Sequence, residues 1–179
     1  MRMEAKILLS GTGGQGIISA GEFLSEALFR AGYEVVNSRS YGTEARGGSS
    51  RSEILVSDGE IYEIEVDEAD ILVVMSTPAY RRYIGRAKRQ SLVLVEEDVL
   101  REIGEGELRG DVELVSVPAN RIASKLGNPI VANMVMLGAL SKRTNLISLE
   151  GLKEAVNTLM RPHLREINIR ALELGYGEA

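Results

Sequence analysis

Residues 6–28 constrain the fold more than any other stretch: a short apolar run, then GTGGQG at 11–16, then a helical pattern. Ile7, Leu8 and Leu9 read as a buried strand, while Ile17, Ala20, Gly21, Leu24, Ala27, Leu28 and Ala31 recur at helical spacing before Gly32 stops the helix. Gly11, Gly13 and Gly16 stand at the G-x-G-x-x-G spacing, and Gly14 adds a fourth glycine. A strand feeding a helix through such a turn belongs to a parallel, helix-covered sheet. One glycine permits the tight turn, one leaves backbone bare for an approaching phosphate, and one lets helix and sheet pack closely. The first turn of the helix then offers unpaired N–H groups and a partial positive charge, an anion site in waiting. Gly11, Thr12, Gly13, Gly14, Gln15 and Gly16 are the candidate cofactor-binding residues. A tight turn that binds nothing stands as the alternative.

The remaining pattern fills in an α/β fold. Residues 33–37 read as the second strand of a β-α-β unit, ending in Asn37 and Arg39 where a nicotinamide-binding protein would carry an acid. Residues 71–75, 92–95 and 112–117 are further buried strands, two of them followed by Pro78 and Pro118 at helix starts. Asp58 and Gly59 signal a hairpin across 51–64. The Pro78 helix is expected to carry a basic patch of Arg81, Arg82, Arg86, Lys88 and Arg89, and Glu60 to Asp70 an acidic one. From Pro118 onward the chain reads as helical, with Ser148 and Pro162 opening the last two helices. Residues 130–140 are apolar nearly all round, so that part of their burial is expected from another subunit. Asn133 interrupts that run, and a buried amide needs partners. The expected architecture is a Rossmann-like three-layer domain with a mostly parallel sheet, one β-hairpin insertion and a helical C-terminal part, in a single domain of residues 1–179.

Residues 40–48 form the second informative segment. Tyr41, Gly42, Glu44, Arg46, Gly47 and Gly48 are too glycine-rich for a helix and too chemically varied for a linker. They read as a contact or active-site loop, with a plain Glu44–Arg46 surface pair as the alternative. The wider composition narrows the function by exclusion. A net charge of −5 argues against nucleic-acid binding, and no apolar run approaches a membrane span. The absence of cysteine removes disulfides and thiolate-held iron–sulfur clusters and fits a cytoplasmic setting. His163, with no cysteine or second histidine nearby, reads as structural or exposed. No metal-ligand set and no nucleophile–base pair emerges, so no catalytic residue is assigned.

Taken together, GTGGQG at 11–16, SYGTEARGG at 40–48 and NMVMLG at 133–138 resemble the gamma subunit of 2-oxoacid:ferredoxin oxidoreductases, most closely the 2-oxoglutarate type. The resemblance implies a division of labour among alpha, beta, gamma and delta subunits. Thiamine diphosphate with magnesium, in partner subunits, decarboxylates the 2-oxoacid. Electrons leave through [4Fe–4S] clusters to ferredoxin, and coenzyme A takes the acyl group. It also implies that this chain packs beside the thiamine-binding subunits, contacts coenzyme A at 11–16, and is inactive alone. Asn133 and the 41–48 loop are then subunit-interface or active-site residues. Two other readings remain at this stage: a stand-alone NADP-dependent oxidoreductase using Arg39, and a nucleotide-sensing regulatory module.

Overall fold

The computed structural model describes residues 3–41 and 48–179. Six strands form one sheet in the order β2-β3-β1-β4-β5-β6. Strand β1 (Glu4–Thr12) runs parallel to β4 (Ala69–Val74), which pairs in parallel with β5 (Ala87–Glu96), and β5 with β6 (Glu113–Val117). Strand β2 (Glu34–Ser40) is not the neighbour of β1. Strand β3 (Ser49–Ser57) lies antiparallel between the two, so five strands share one direction and β3 alone opposes them. The expected mixed, mostly parallel sheet is present, with a different order.

Burial explains this placement. Ile54, Leu55 and Val56 are consecutive and buried, a pattern that a strand tolerates only with cover on both faces and neighbours on both edges. The hairpin expected across 51–64 is therefore corrected: its arms are β2 and β3, and residues 60–68 form no return strand. Tyr62 and Ile64 project outward among Glu60, Glu63 and Glu65, while Ile61 and Val66 turn toward the core.

One face of the sheet is covered by α1 (Ile17–Arg30), α4 (Ala119–Lys125), α5 (Ala132–Thr144), α6 (Leu149–Leu159) and α7 (Pro162–Glu178). The other is covered by α2 (Thr77–Tyr83) and α3 (Glu97–Glu102). Pro78 lies in the first turn of α2, and Ser76 caps that helix by accepting from the Ala79 N–H at 3.3 Å. Ser148 caps α6 in the same way from Gly151 at 3.0 Å, Pro162 opens α7, and His163 is exposed.

The basic patch is distributed differently from the sequence expectation. Helix α2 ends at Tyr83, so Arg86 falls in a 3-10 turn and Lys88 and Arg89 in β5. Four of the five bases face an acid: Arg81 with Glu107, Arg86 with Glu53, Lys88 with Asp70 and Arg89 with Asp111. Three of these pairs lie at the solvated surface, and Arg86 covers the buried Glu53.

The apolar segment at 130–140 is also corrected in its partner. Residues Ala132 to Ser141 of α5 are buried within this chain, chiefly against α7. Close approach is possible because glycines face backbone on both sides. A Cβ on Gly138 would lie 2.1 Å from the Leu172 carbonyl oxygen, and one on Gly175 would lie 2.0 Å from that of Val135. Burial of α5 needs no second subunit.

Candidate functional site

The two glycine-bearing segments meet at the carboxyl end of β1. Thr12 pairs with Ser49 in the sheet, and the Gly13 N–H donates to the Gly48 carbonyl at 3.2 Å. Tyr41 stands exposed at the end of β2. Gly42, Glu44, Arg46 and Gly47 lie outside the described residues.

Within the turn, each residue has a distinct task. Gly14 and Gly16 take left-handed backbone angles, φ 89° and 72°, which L side chains rarely adopt. Gln15 faces inward as a clamp: its Oε1 accepts from the Thr12 N–H at 2.8 Å, and its Nε2 donates to the Met75 carbonyl at 2.8 Å. A Cβ on Gly11 would strike that same Oε1 at 2.5 Å. Asn133 is buried at the start of α5, where its Nδ2 donates to the Gly16 carbonyl at 3.0 Å and its Oδ1 accepts from the Met134 N–H at 2.8 Å. The buried amide thus has its partners, and they tie the start of α1 to α5. Gly13 and Gly14 are exposed, with open space where a Cβ would be built.

Beside the turn lies a cleft of about 240 Å³ lined by Gly14, Gln15, Met75, Asn120, Pro129, Ile130 and Ala132. It opens at the carboxyl ends of β1 and β4, the usual ligand position in a sheet of this kind. Helix α1 meets it with no side-chain cap and no acid in its first turn. The adjacent helix starts are internally satisfied. Ser76 caps α2, while the Glu96 carboxylate accepts from Asp98 at the start of α3 at 2.7 Å and from Asn120 at the start of α4 at 3.2 Å. The α1 turn is left facing the cleft with bare backbone, chemically suited to an anionic group.

Burial pushes the Glu96 carboxyl above its ordinary value, and the two N–H donors only partly oppose this. Between the unfolded and folded pKa values the native state then holds more protons than the unfolded chain, so this group's contribution to stability falls as pH rises through that window. In Glu96→Gln that dependence disappears. The expected result is that wild type gains more stability than Glu96→Gln between neutral pH and pH 4, read as the difference in urea midpoints at the two pH values.

The nicotinamide reading loses its support here. Strand β2 is separated from β1 by β3, and Arg39 is engaged by Glu22 at 2.6 Å. Among the described residues no group of three or more acids or histidines is placed to hold a metal ion, and no helix is long and apolar enough to cross a membrane. Sequence reading missed the cleft's other walls, Met75, Asn120, Pro129 and Ile130. The Pro118 and Pro129 breaks at the ends of apolar runs were their only local signal.

The model of the pyruvate ferredoxin/flavodoxin oxidoreductase family matches residues 6–178. The chain is 42% identical over 178 residues to the 2-oxoglutarate synthase subunit KorC of Methanocaldococcus jannaschii, covering 98% of this chain and 94% of that one. Its structure is similar to the keto/oxoacid ferredoxin oxidoreductase gamma subunit of Geobacter sulfurreducens, with a TM-score of 0.85, 30% identity, and coverage of 98% and 96%. It is also similar to a chain of the 2-oxoglutarate:ferredoxin oxidoreductase of Magnetococcus marinus, solved with 2-oxoglutarate, coenzyme A and succinyl-CoA bound. There the TM-score is 0.86 at 27% identity, with 98% of this chain covering 31% of the longer one.

Proposed function

This chain belongs to the pyruvate ferredoxin/flavodoxin oxidoreductase family, as the gamma subunit of a 2-oxoacid:ferredoxin oxidoreductase, and from that premise we propose that its complex acts on 2-oxoglutarate and that this chain contributes coenzyme A binding and assembly. The complex converts the oxoacid and coenzyme A to the acyl thioester and CO2, and the released electrons reduce ferredoxin. Thiamine diphosphate, magnesium and [4Fe–4S] clusters are assigned to the alpha, beta and delta subunits. No cysteine is available in this chain to ligate a cluster.

The observation that carries the coenzyme A reading is the bare turn at Gly13 and Gly14, lying against Gly48 and opening on the cleft. A phosphate or pyrophosphate fits that setting: backbone N–H groups are present, acids are absent from the first turn of α1, and no side chain shields the approach. Met75, Pro129 and Ile130 offer apolar contact to the rest of such a ligand. Gln15 and Asn133 hold the turn in shape, and Gln15 also lines the cleft. Coenzyme A supplies the thiol that accepts the acyl group, and this chain's part is to bind and orient the carrier.

The test is a titration of the purified chain, and of the complex co-expressed with its partner subunits, with coenzyme A and with NADP. Binding of coenzyme A alone, together with ferredoxin reduction by the complex on 2-oxoglutarate in preference to pyruvate, is the expected result. Activity from the isolated chain, or binding of NADP alone, would reject the subunit reading.

A further inference from the structure

Strand β2 ends the sheet with a neighbour on one side only, and large apolar side chains crowd its open edge. Among the described residues, five of the eight exposed large hydrophobic side chains border this strand: Phe29, Tyr41, Tyr62, Ile64 and Leu159. Phe29 and Leu159 share a hollow with Val35 and Asn37 on one face of β2. On the opposite face the Ser38 hydroxyl donates to the Ile64 carbonyl at 2.8 Å and brings Ile64 alongside the strand. Tyr62 and Glu34 line a third hollow, and Tyr41 follows the last residue of β2. Phe29 is 65% exposed, Ile64 70% and Tyr62 82%, far more than an isolated monomer needs to leave in water at one place. An unprotected edge strand flanked by apolar groups on both faces is a ready pairing surface.

We propose that the β2 edge, with Phe29 and Leu159 on one face and Tyr62 and Ile64 on the other, is the docking surface for the subunit that corresponds to the remainder of the longer Magnetococcus chain. One observation selects that occupant, and charge describes its matching face. In that relative the equivalent of this chain is only 31% of one polypeptide, so the same fold there is covalently tied to further protein, whereas the Methanocaldococcus relative of nearly this length is itself a subunit. Charge defines the partner's matching face. Among the described residues the hollow beside Tyr62 is walled by Glu34, Asp58 and Glu60 and by no basic residue, while Arg30 and Arg39 nearby are already taken by Glu26 and Glu22. The partner therefore presents apolar side chains with a basic rim. The inference rests on the subunit reading and adds the surface through which assembly occurs.

The experiment measures binding of this chain to the separately encoded subunit that matches the uncovered part of the longer relative. Phe29→Lys and Ile64→Lys, on opposite faces of the edge, are expected to weaken binding about tenfold or more, since each removes an apolar anchor and sets a cation against a basic rim. Leu108→Lys, at an exposed apolar residue away from β2, is expected to bind as wild type. All three replace exposed side chains, so each isolated variant should keep the wild-type melting temperature, which separates lost docking from lost folding. Unchanged binding by both edge variants overturns the surface while leaving the subunit reading intact. Wild-type protein that fails to bind the subunit overturns the subunit reading and this inference with it. Self-association of the isolated chain, abolished by the edge variants while partner binding persists, assigns the edge to a second copy and also overturns it.

Discussion

Replacing Gly138 by alanine lowers the melting temperature by about 6–12 °C, and replacing Gly175 has a similar effect. Both glycines lie where α5 and α7 touch, and each faces the other helix's backbone. The new methyl would stand 2.1 Å from the Leu172 oxygen or 2.0 Å from the Val135 oxygen, far inside any real non-bonded carbon–oxygen contact. A carbonyl in the middle of a helix cannot rotate aside, so the helices must separate. Separation opens the cluster around Val135, Leu137, Leu140, Ala171 and Leu172. Overpacking of this kind costs about 3 kcal/mol even after alanine's better helix propensity, roughly 1 kcal/mol, is credited. The same substitution at Gly177, two residues further along α7, meets nothing within 4 Å and is expected to leave the melting temperature equal or slightly higher. Thermal denaturation of the three variants side by side checks the argument. A Gly138→Ala protein as stable as wild type would refute it.

The same pair of helices shows what a sequence can and cannot disclose. That residues 131–140 are buried follows from their lack of a polar face, but periodicity carries no information about which surface buries them. The answer lies in two glycines 37 positions apart, Gly138 and Gly175, whose fit is a matter of helix approach. Strands β1, β4 and β5 were legible because continuous apolar runs report local burial. The insertion of β3 between β1 and β2 was not, because pairing order depends on contacts between residues as distant as Glu4 and Ser57. The Asp58–Gly59 turn signal was misleading for a related reason: a turn is signalled, but the following segment reaches the core through Ile61 and Val66 without pairing as a strand.

The candidate site divides in the same way. Its glycines were visible from spacing alone, and so was the chemistry of a helix start with no acid beside it. Two amides that hold the turn have partners that spacing does not disclose. Spacing places Gln15 in the ligand loop, and the structure finds it lining the cleft while its amide accepts from Thr12 and donates to Met75, 60 positions on from Gln15. Asn133 was recognised as needing partners, and its partner is Gly16, 117 positions away. Spacing identifies the loop, and distant polar contacts determine which of its atoms are left over to meet a ligand.

Those leftover atoms set the outcome at Gly13. Gly13→Ala should raise the coenzyme A concentration that the assembled enzyme requires by about tenfold or more, while the 2-oxoacid requirement changes little. Gly13 lies outside the left-handed region, and a Cβ there meets nothing within 4 Å, so the fold can accept alanine. The Gly13 N–H is given to the Gly48 carbonyl, so the methyl would act by crowding a phosphate that approaches the N–H groups at the start of α1, where loss of one charge-assisted hydrogen bond costs about 1.5–3 kcal/mol. The oxoacid is expected to react on other subunits and does not meet this methyl. Gly16→Ala provides the contrast. Its φ of 72° strains any L residue, and its Cβ would lie 2.5 Å from the Asn133 Nδ2, so it should lower the melting temperature whatever happens to coenzyme A. Gly14→Asp is the less clean probe, because φ 89° adds strain to the like charge it introduces. Melting temperature and coenzyme A dependence measured on one Gly13→Ala preparation decide the question. If the turn exists only to seat α1 on the sheet, alanine at this open position alters neither quantity. A well-folded Gly13→Ala enzyme with wild-type coenzyme A dependence would therefore remove the turn as a coenzyme A site.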